Sequence, residues 1–321
     1  MRILITGSSG QIGTNLALRC LEAGHEVIGI DCRANEWTNA FVTTLQDLSI
    51  AGTIRWELPD VVVHLAAHPK VNELVLEPRR ALENITMTHN VLEYCRLRTI
   101  PIIFTSSREV YGDVCRLTTV ESDADFGLSA SPYSASKIAG ESMVYAYARC
   151  YGLPYIVFRL SNVYGRYDND LHRMQRVVPL FIRNISQDEP VTVFGVEKVI
   201  DFTHVDDCID GIVSGIERLV AGCVRNETIN LASGRGHTLL EMAEYVGTAL
   251  GKMPRVIAAR PLAGEITRYV ANLGKAESFL GFSPKITLRE GIQSAVAVQR
   301  SGAELSRRPS PSGSTSVKSR K

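Results

Sequence analysis

A chain of 321 residues is long for one compact core and comfortable for two lobes that share a cleft. With 45% hydrophobic residues, 21% charged residues and a formal charge of +1, it has neither the basic excess of a nucleic-acid binder nor an apolar run that approaches a membrane span, so neither partner is expected. The cysteines (Cys20, Cys32, Cys95, Cys115, Cys150, Cys208, Cys223) are odd in number and contain no C-x-x-C pair, and the histidines (His25, His64, His68, His89, His172, His204, His237) show no ligand spacing. No disulfide framework and no metal are therefore expected, and a cytoplasmic location is.

In chain order, short β-rich runs at 2–6, 26–31, 61–66 and 102–106 alternate with helical spacing at 12–23 and 82–96. That alternation predicts an α/β fold, a Rossmann-type doubly wound parallel sheet with helices on both faces. A helix over 133–151, the stop Gly152-Leu-Pro154 and a buried strand over 155–160 follow. A more mixed half contains helical spacing at 176–185 and 206–220, a strand at 191–194 and a helix at 238–250 that opens on the capping pair Thr238 and Glu241. The organisation expected is a nucleotide-binding domain over 1–165, completed by a strand and helix from the second half, a smaller α/β lobe over 166–300, and a tail over 301–321. The tail has five basic residues against one acid and is rich in Ser and Pro, which predicts disorder.

The first run ends in Thr6-Gly-Ser-Ser-Gly-Gln-Ile-Gly13, so Gly7, Gly10 and Gly13, with Gln11 and Ile12 between them, stand between a strand and a helix. Glycines in that context allow a tight turn and close approach of backbone N–H groups to a pyrophosphate at a helix start. Asp31 closes the second strand where a carboxylate accepts the ribose hydroxyls, and its charge favours NAD over NADP; Cys32 flanks it, and Arg33 keeps NADP open. Asp47 and Leu48 are placed either at the adenine edge or in a plain surface loop.

Tyr133 and Lys137, four residues apart, share a helix face, and an ammonium beside a phenol lowers the phenol pKa from its usual ~10 toward a usable general base. Alone, Tyr-x-x-x-Lys fits any amphipathic helix. Here it follows the glycine cradle and the serine-rich strand end Thr105-Ser-Ser-Arg-Glu-Val-Tyr-Gly112.

With His64-Leu-Ala-Ala67, Arg159-x-x-Asn-Val-Tyr-Gly165 and Asp201-Phe-Thr-His-Val-Asp206, these motifs resemble the extended short-chain dehydrogenases/reductases that act on nucleotide sugars, in particular the sugar-nucleotide 4-epimerases, over about residues 1–300. The resemblance implies that Ser107 hydrogen-bonds the sugar C4 oxygen, that Tyr133 exchanges its proton, and that Lys137 also holds the nicotinamide ribose. It further places Leu65, Ala66, Ala67 and Asn84 along the cofactor, Asn162 at the diphosphate, Val193 and Phe194 near the uracil, and Arg260 or Arg268 at the phosphates. It implies a homodimer built on the helices near 82–96 and 133–151. Ile200 departs from it, since relatives usually have arginine before the Asp-Phe-Thr run.

The loop pair Arg108-Glu109 argues against a 4,6-dehydratase, because arginine cannot donate the proton that an aspartic acid supplies. Ser-x-Glu-Val-Tyr-Gly also resembles UDP-glucuronate decarboxylases, and the bland alternative is a solvent-facing ion pair at a strand end. Arg108, Arg166, Arg173 and Arg176 suggest a substrate carboxylate, hence C4 epimerisation of UDP-glucuronate to UDP-galacturonate, with UDP-glucose/UDP-galactose as the alternative. A catalytically silent NAD-binding relative is the reading from another class, and the intact Ser107, Tyr133 and Lys137 stand against it.

Overall fold

The computed structural model describes residues 1–50, 56–113, 116–168 and 176–306, with side chains to residue 298. Its first half alternates strands with helices: β1 (Arg2–Thr6), α1 (Gln11–Glu22), β2 (Glu26–Asp31), β3 (Thr43–Leu45), β4 (Val61–His64), α2 (Val71–Leu76), α3 (Arg79–Arg98), β5 (Ile102–Ser107), α4 (Pro132–Tyr151) and β6 (Tyr155–Leu160). The second half adds β7 (Asn162–Tyr164), α5 (Val177–Ser186), β8 (Val191–Phe194), β9 (Val199–His204), α6 (Val205–Val220), β10 (Glu227–Leu231), β11 (Gly236–Thr238), α7 (Leu239–Leu250), β12 (Val256–Ala259), β13 (Arg268–Tyr269), α8 (Gly274–Leu280) and α9 (Leu288–Ser306).

Seven parallel strands in the order β3-β2-β1-β4-β5-β6-β10 form the main sheet. The two-residue period of each strand divides its apolar side chains between two cores. Ile3 and Ile5 of β1 face α1, α6 and α8 through Leu16, Ile212, Ile216 and Leu280, whereas Leu4 faces α3 and α4 through Val91, Leu92 and Val144. Both faces are buried, so β4 and β6 are apolar or enclosed along their whole length rather than alternating with exposed positions. The chain runs outward from β1 to β3 and then crosses back to β4 on the other side of β1. The carboxyl ends of β1 and β4 thereby open a crevice where ligands bind in such sheets.

The smaller lobe joins β11, β9, β13 and β7 in one sheet and β8 with β12 in another, closed by α5, α7 and α9 around Phe181, Val191, Val193, Met242 and Ile292. Its helix starts obey local chemistry. Thr238 Oγ1 accepts from Glu241 N (3.1 Å) while Glu241 returns a bond to Thr238 N (2.7 Å), as the sequence predicts. In the first lobe α4 begins on the Ser131 cap with Pro132 at its first position and ends at Gly152, whose φ of +68° is the left-handed value that glycine adopts most easily.

Two expectations are corrected. The strand expected over 61–66 stops at His64, because Leu65 and Ala66 turn across the β1 end. The stretch 301–306, expected to belong to a disordered tail, is helical, since α9 continues to Ser306; residues 307–321 lie outside the described residues.

Candidate active site

The glycine cradle is shaped by backbone contact. Gly7, at φ +73°, sends its N–H to Ile30 O (2.8 Å), which joins the turn to β2. A Cβ on Gly13 would lie 2.1 Å from Gly7 O, and one on Gly7 would lie 2.8 Å from Ala66 N, so neither position accepts a side chain. The 65–67 loop crosses here, with Leu65 N on Thr6 O (3.1 Å) and Ala66 N on Thr6 Oγ1 (3.3 Å). Helix α1 opens at Gly10 with no side-chain cap, and the buried Gln11 Nε2 has no partner among the described residues. Donors left open at a helix start suit a pyrophosphate.

Asp31 sits at this turn, its carboxylate accepting from Ser9 N (3.0 Å) and Arg33 N (3.1 Å), with the Cys32 thiol at 3.6 Å. The Arg33 guanidinium lies 3.8 Å from the same carboxylate, beyond hydrogen-bonding distance, so the preference rests on Asp31, whose charge a 2′-phosphate would meet at close range. The cradle fits NAD. Asn84 joins the region as a fastener: it accepts from His68 N (2.7 Å) and donates to His68 O and Ser136 Oγ, which ties the loop after β4 to α4. Leu48 is not available as expected, since its side chain is buried with Ile30 and Val91, and Asp47 holds Ser49 N (2.9 Å) in an exposed loop.

Ser107 ends β5 and caps the 3-10 turn Arg108–Tyr111, its Oγ accepting from Glu109 N (3.2 Å). Tyr133 and Lys137 lie on the first turns of α4, both buried. A hydrogen bond from Ser107 and the charges of Arg176 and Arg108 favour the Tyr133 phenolate, but burial outweighs them and pushes the phenol up to about 12. The expectation that Lys137 acidifies it is therefore corrected. Although the two share a helix face, Lys137 reaches back to β5, where Nζ donates to Thr105 O (2.8 Å) and lies 5.2 Å from the Phe104 ring centre. Burial brings that ammonium down to about 8. Helix α4 is held to the sheet by a buried pair missed in the sequence, Arg159 on β6 gripping Glu141 through Nε–Oε1 (2.9 Å) and Nη2–Oε2 (2.7 Å).

On the sugar side, Arg108 binds Glu109 Oε1 through Nη2 (3.0 Å) and Asn162 Oδ1 through Nε (2.9 Å). The pair is buried, with side chains 11% and 5% exposed, which overturns the solvent-facing reading. The expected arginine cluster is not gathered around one point either. Arg166 pairs with Asp206 (2.8 Å), and Arg176 with Asp168 (3.0 Å), while Arg173 lies outside the described residues. Arg176 also donates to Gln11 Oε1 (3.0 Å) and Val163 O (2.9 Å), so it links the cradle to the second lobe. Burial lifts its partner Asp168 to about 7.

A cavity of about 610 Å³ opens beside the site, lined by Asp113, Arg116, Gly195, Lys198, Thr267 and Arg268. Arg268 donates through Nε to Arg116 O (2.9 Å), and Arg260 is exposed next to the lining Pro261. Val193 is buried in the core of its lobe and offers no surface to a base, whereas Phe194 is exposed and leads into Gly195. Ile200 is likewise core, and Lys198, two residues earlier, brings the charge to the cavity while paired with Glu265.

The NAD dependent epimerase/dehydratase family matches residues 3–232. A putative UDP-glucose 4-epimerase of Methanocaldococcus jannaschii is 31% identical, the match covering 92% of this chain and 97% of that one. Among solved structures, Thermotoga maritima UDP-glucose 4-epimerase with UDP-glucose superposes at a TM-score of 0.84 and 27% identity, covering 94% of this chain and 100% of that one. Bacillus cereus UDP-glucuronic acid 4-epimerase, in complex with UDP-glucuronic acid and NAD, superposes at 0.82 and 26% identity, covering 94% and 99%. Both the cradle and the Ser107, Tyr133 and Lys137 group fall within the matched residues, and the chain belongs to the NAD-dependent epimerase/dehydratase family.

Proposed function

We propose that this protein is an NAD-dependent 4-epimerase of UDP-sugars. The observation that carries the reading is the buried Tyr133 phenol next to Ser107 with Lys137 a turn below, at the mouth of a crevice that also holds the glycine cradle. Gly7, Gly10 to Gly13 and Asp31 would hold the dinucleotide, with Leu65, Ala66 and Ala67 along it. Bound NAD supplies the hydride acceptor and a positive ring whose field favours phenolate. Ser107 positions the sugar C4 oxygen, and Tyr133 removes its proton and returns it to that same oxygen once the 4-keto sugar has turned its other face to the cofactor. Lys137, charged below about pH 8, holds the ribose from beneath.

Of the two substrates, the geometry favours a neutral hexose, UDP-glucose or UDP-galactose. UDP-glucuronate is best held by a cation at its carboxylate, yet Arg108 and Arg166 each already face a carboxylate of the protein, and Arg176 is engaged by Asp168, Gln11 and Val163. The cavity beside Lys198, Arg116 and Arg268 is the place for the diphosphate and uracil. Purified protein given UDP-glucose, UDP-galactose and UDP-glucuronate in turn should interconvert the first two. A pentose product would mean decarboxylation, and an inverted uronate alone would defeat the hexose reading.

Homodimerisation is part of the proposal. Leu82 and Leu97 of α3 and Tyr151 of α4 are 65%, 65% and 57% exposed, apolar surface that a second copy would cover. Sedimentation should give twice the chain mass, and Leu82→Glu should shift it toward one.

A further inference from the structure

Arg108 and Glu109 each keep one atom unused. Arg108 Nη1 and Glu109 Oε2 are buried and have no hydrogen-bond partner among the described residues, although the rest of the pair is bound to itself and to Asn162. A buried donor or acceptor left unmade costs its full desolvation, more when charged, so two together call for a ligand group that completes both. Their position identifies the ligand. They follow Ser107 directly in the chain, with Glu109 N donating to Ser107 Oγ (3.2 Å), and the same turn leads on to Asp113, which lines the 610 Å³ cavity together with Lys198. The pair thus lies between the group that works on C4 and the place proposed for the nucleotide.

We infer that Arg108 and Glu109 read a sugar hydroxyl beside the reacting carbon and so select neutral hexoses against uronates. The inference rests on the proposed epimerase reading and goes beyond it by naming the groups that choose the substrate. A hydroxyl accepts from Arg108 Nη1 and donates to Glu109 Oε2, matching both orphaned atoms at once. A carboxylate only accepts. It satisfies Nη1 but sets a second anion against Glu109 in a site closed to water, where like charges repel most strongly.

Inversion at C4 makes this stricter. The two faces of the keto sugar must meet the same residues in turn, and a half-turn about the line from C1 to C4 exchanges the carbons that flank C4. The pair then meets the C3 hydroxyl in one pose and the C6 group in the other. A neutral hexose presents a hydroxyl both times, whereas a uronate presents a carboxylate once.

Calorimetry on the NAD-loaded full chain tests this with UDP-glucose and UDP-glucuronate. Wild type should bind UDP-glucose at least about tenfold more tightly, since placing like charges together in an interface is costly. Glu109→Gln puts an amide donor where the carboxylate accepted, and should narrow that ratio at least about tenfold in favour of UDP-glucuronate. A wild-type preference for UDP-glucose below about tenfold overturns the inference, and so does a Glu109→Gln ratio that narrows by less than about tenfold. The ratio compares two ligands in one protein, so a variant that is merely loosened weakens both and leaves it unmoved. Should Glu109→Gln not fold, the wild-type ratio decides alone. Failure of the epimerase reading registers elsewhere, as no C4 inversion of any UDP-sugar, and leaves the affinity ratio readable.

Discussion

The cradle and the sugar side of the crevice are built on different principles. Around Gly7 and Gly13 the constraint is backbone against backbone, at distances that exclude a single added carbon. Around Arg108 and Lys198 it is charge against charge, each cation held by a carboxylate of the protein. The first kind of site depends on a few residues adjacent in sequence and tolerates almost no change in them. The second is assembled from distant segments, and pairs of residues within it can be exchanged.

The largest effect should come from the group between the two regions. Tyr133→Phe removes the proton-exchanging oxygen and leaves the buried ring, so kcat for UDP-hexose interconversion should fall about a thousandfold with an unchanged melting temperature. A melting temperature that falls in step with activity would point instead to a packing role. Next is Gly13→Ala, which drives a methyl into Gly7 O; overpacking of this kind costs about 1–3 kcal/mol, and NAD affinity should drop by tens of fold while UDP binding holds. Lys198→Ala sharpens the comparison from the other side: UDP affinity should weaken about tenfold with NAD affinity unchanged, as measured by titration of each ligand separately. If Lys198→Ala disturbed NAD equally, the two regions would not be independent.

The smallest effect concerns the link between them. Burial holds Asp168 protonated up to about pH 7 in the fold, whereas an unfolded aspartate ionises near ~4. The folded chain therefore binds the extra proton between those values, and its unfolding free energy should decline as pH rises from about 4 to about 7, then level off. Asp168→Asn should flatten that segment of the stability curve, and an unaltered slope in denaturant titrations would assign it to other groups.

The cradle was legible because its chemistry is local. Thr6 to Gly13 carries strand end, turn and helix start within one short run, and Asp31 follows at the end of the next strand. The long periodic helices were legible too, down to the Thr238 and Glu241 box. Less visible were the short strands β7, β11 and β13, two or three residues each, which exist only because β9 offers them an edge. The sugar side was misjudged for a related reason. Arginines expected near the sugar pocket suggest a carboxylate grip, but Arg166 finds Asp206 and Arg176 finds Asp168 and Gln11 through the fold.

The amino-acid sequence by itself determined the parallel sheet, the dinucleotide turn and the one-turn spacing of Tyr133 and Lys137, since each depends on residue type at short separation. Only the tertiary structure decided which way Lys137 points, that Tyr133 is pushed up rather than down, and that Arg108 and Glu109 are enclosed together. Burial and pairing of charges depend on what arrives from elsewhere in the chain, and a phenol or a guanidinium carries no mark of how much water will be left around it.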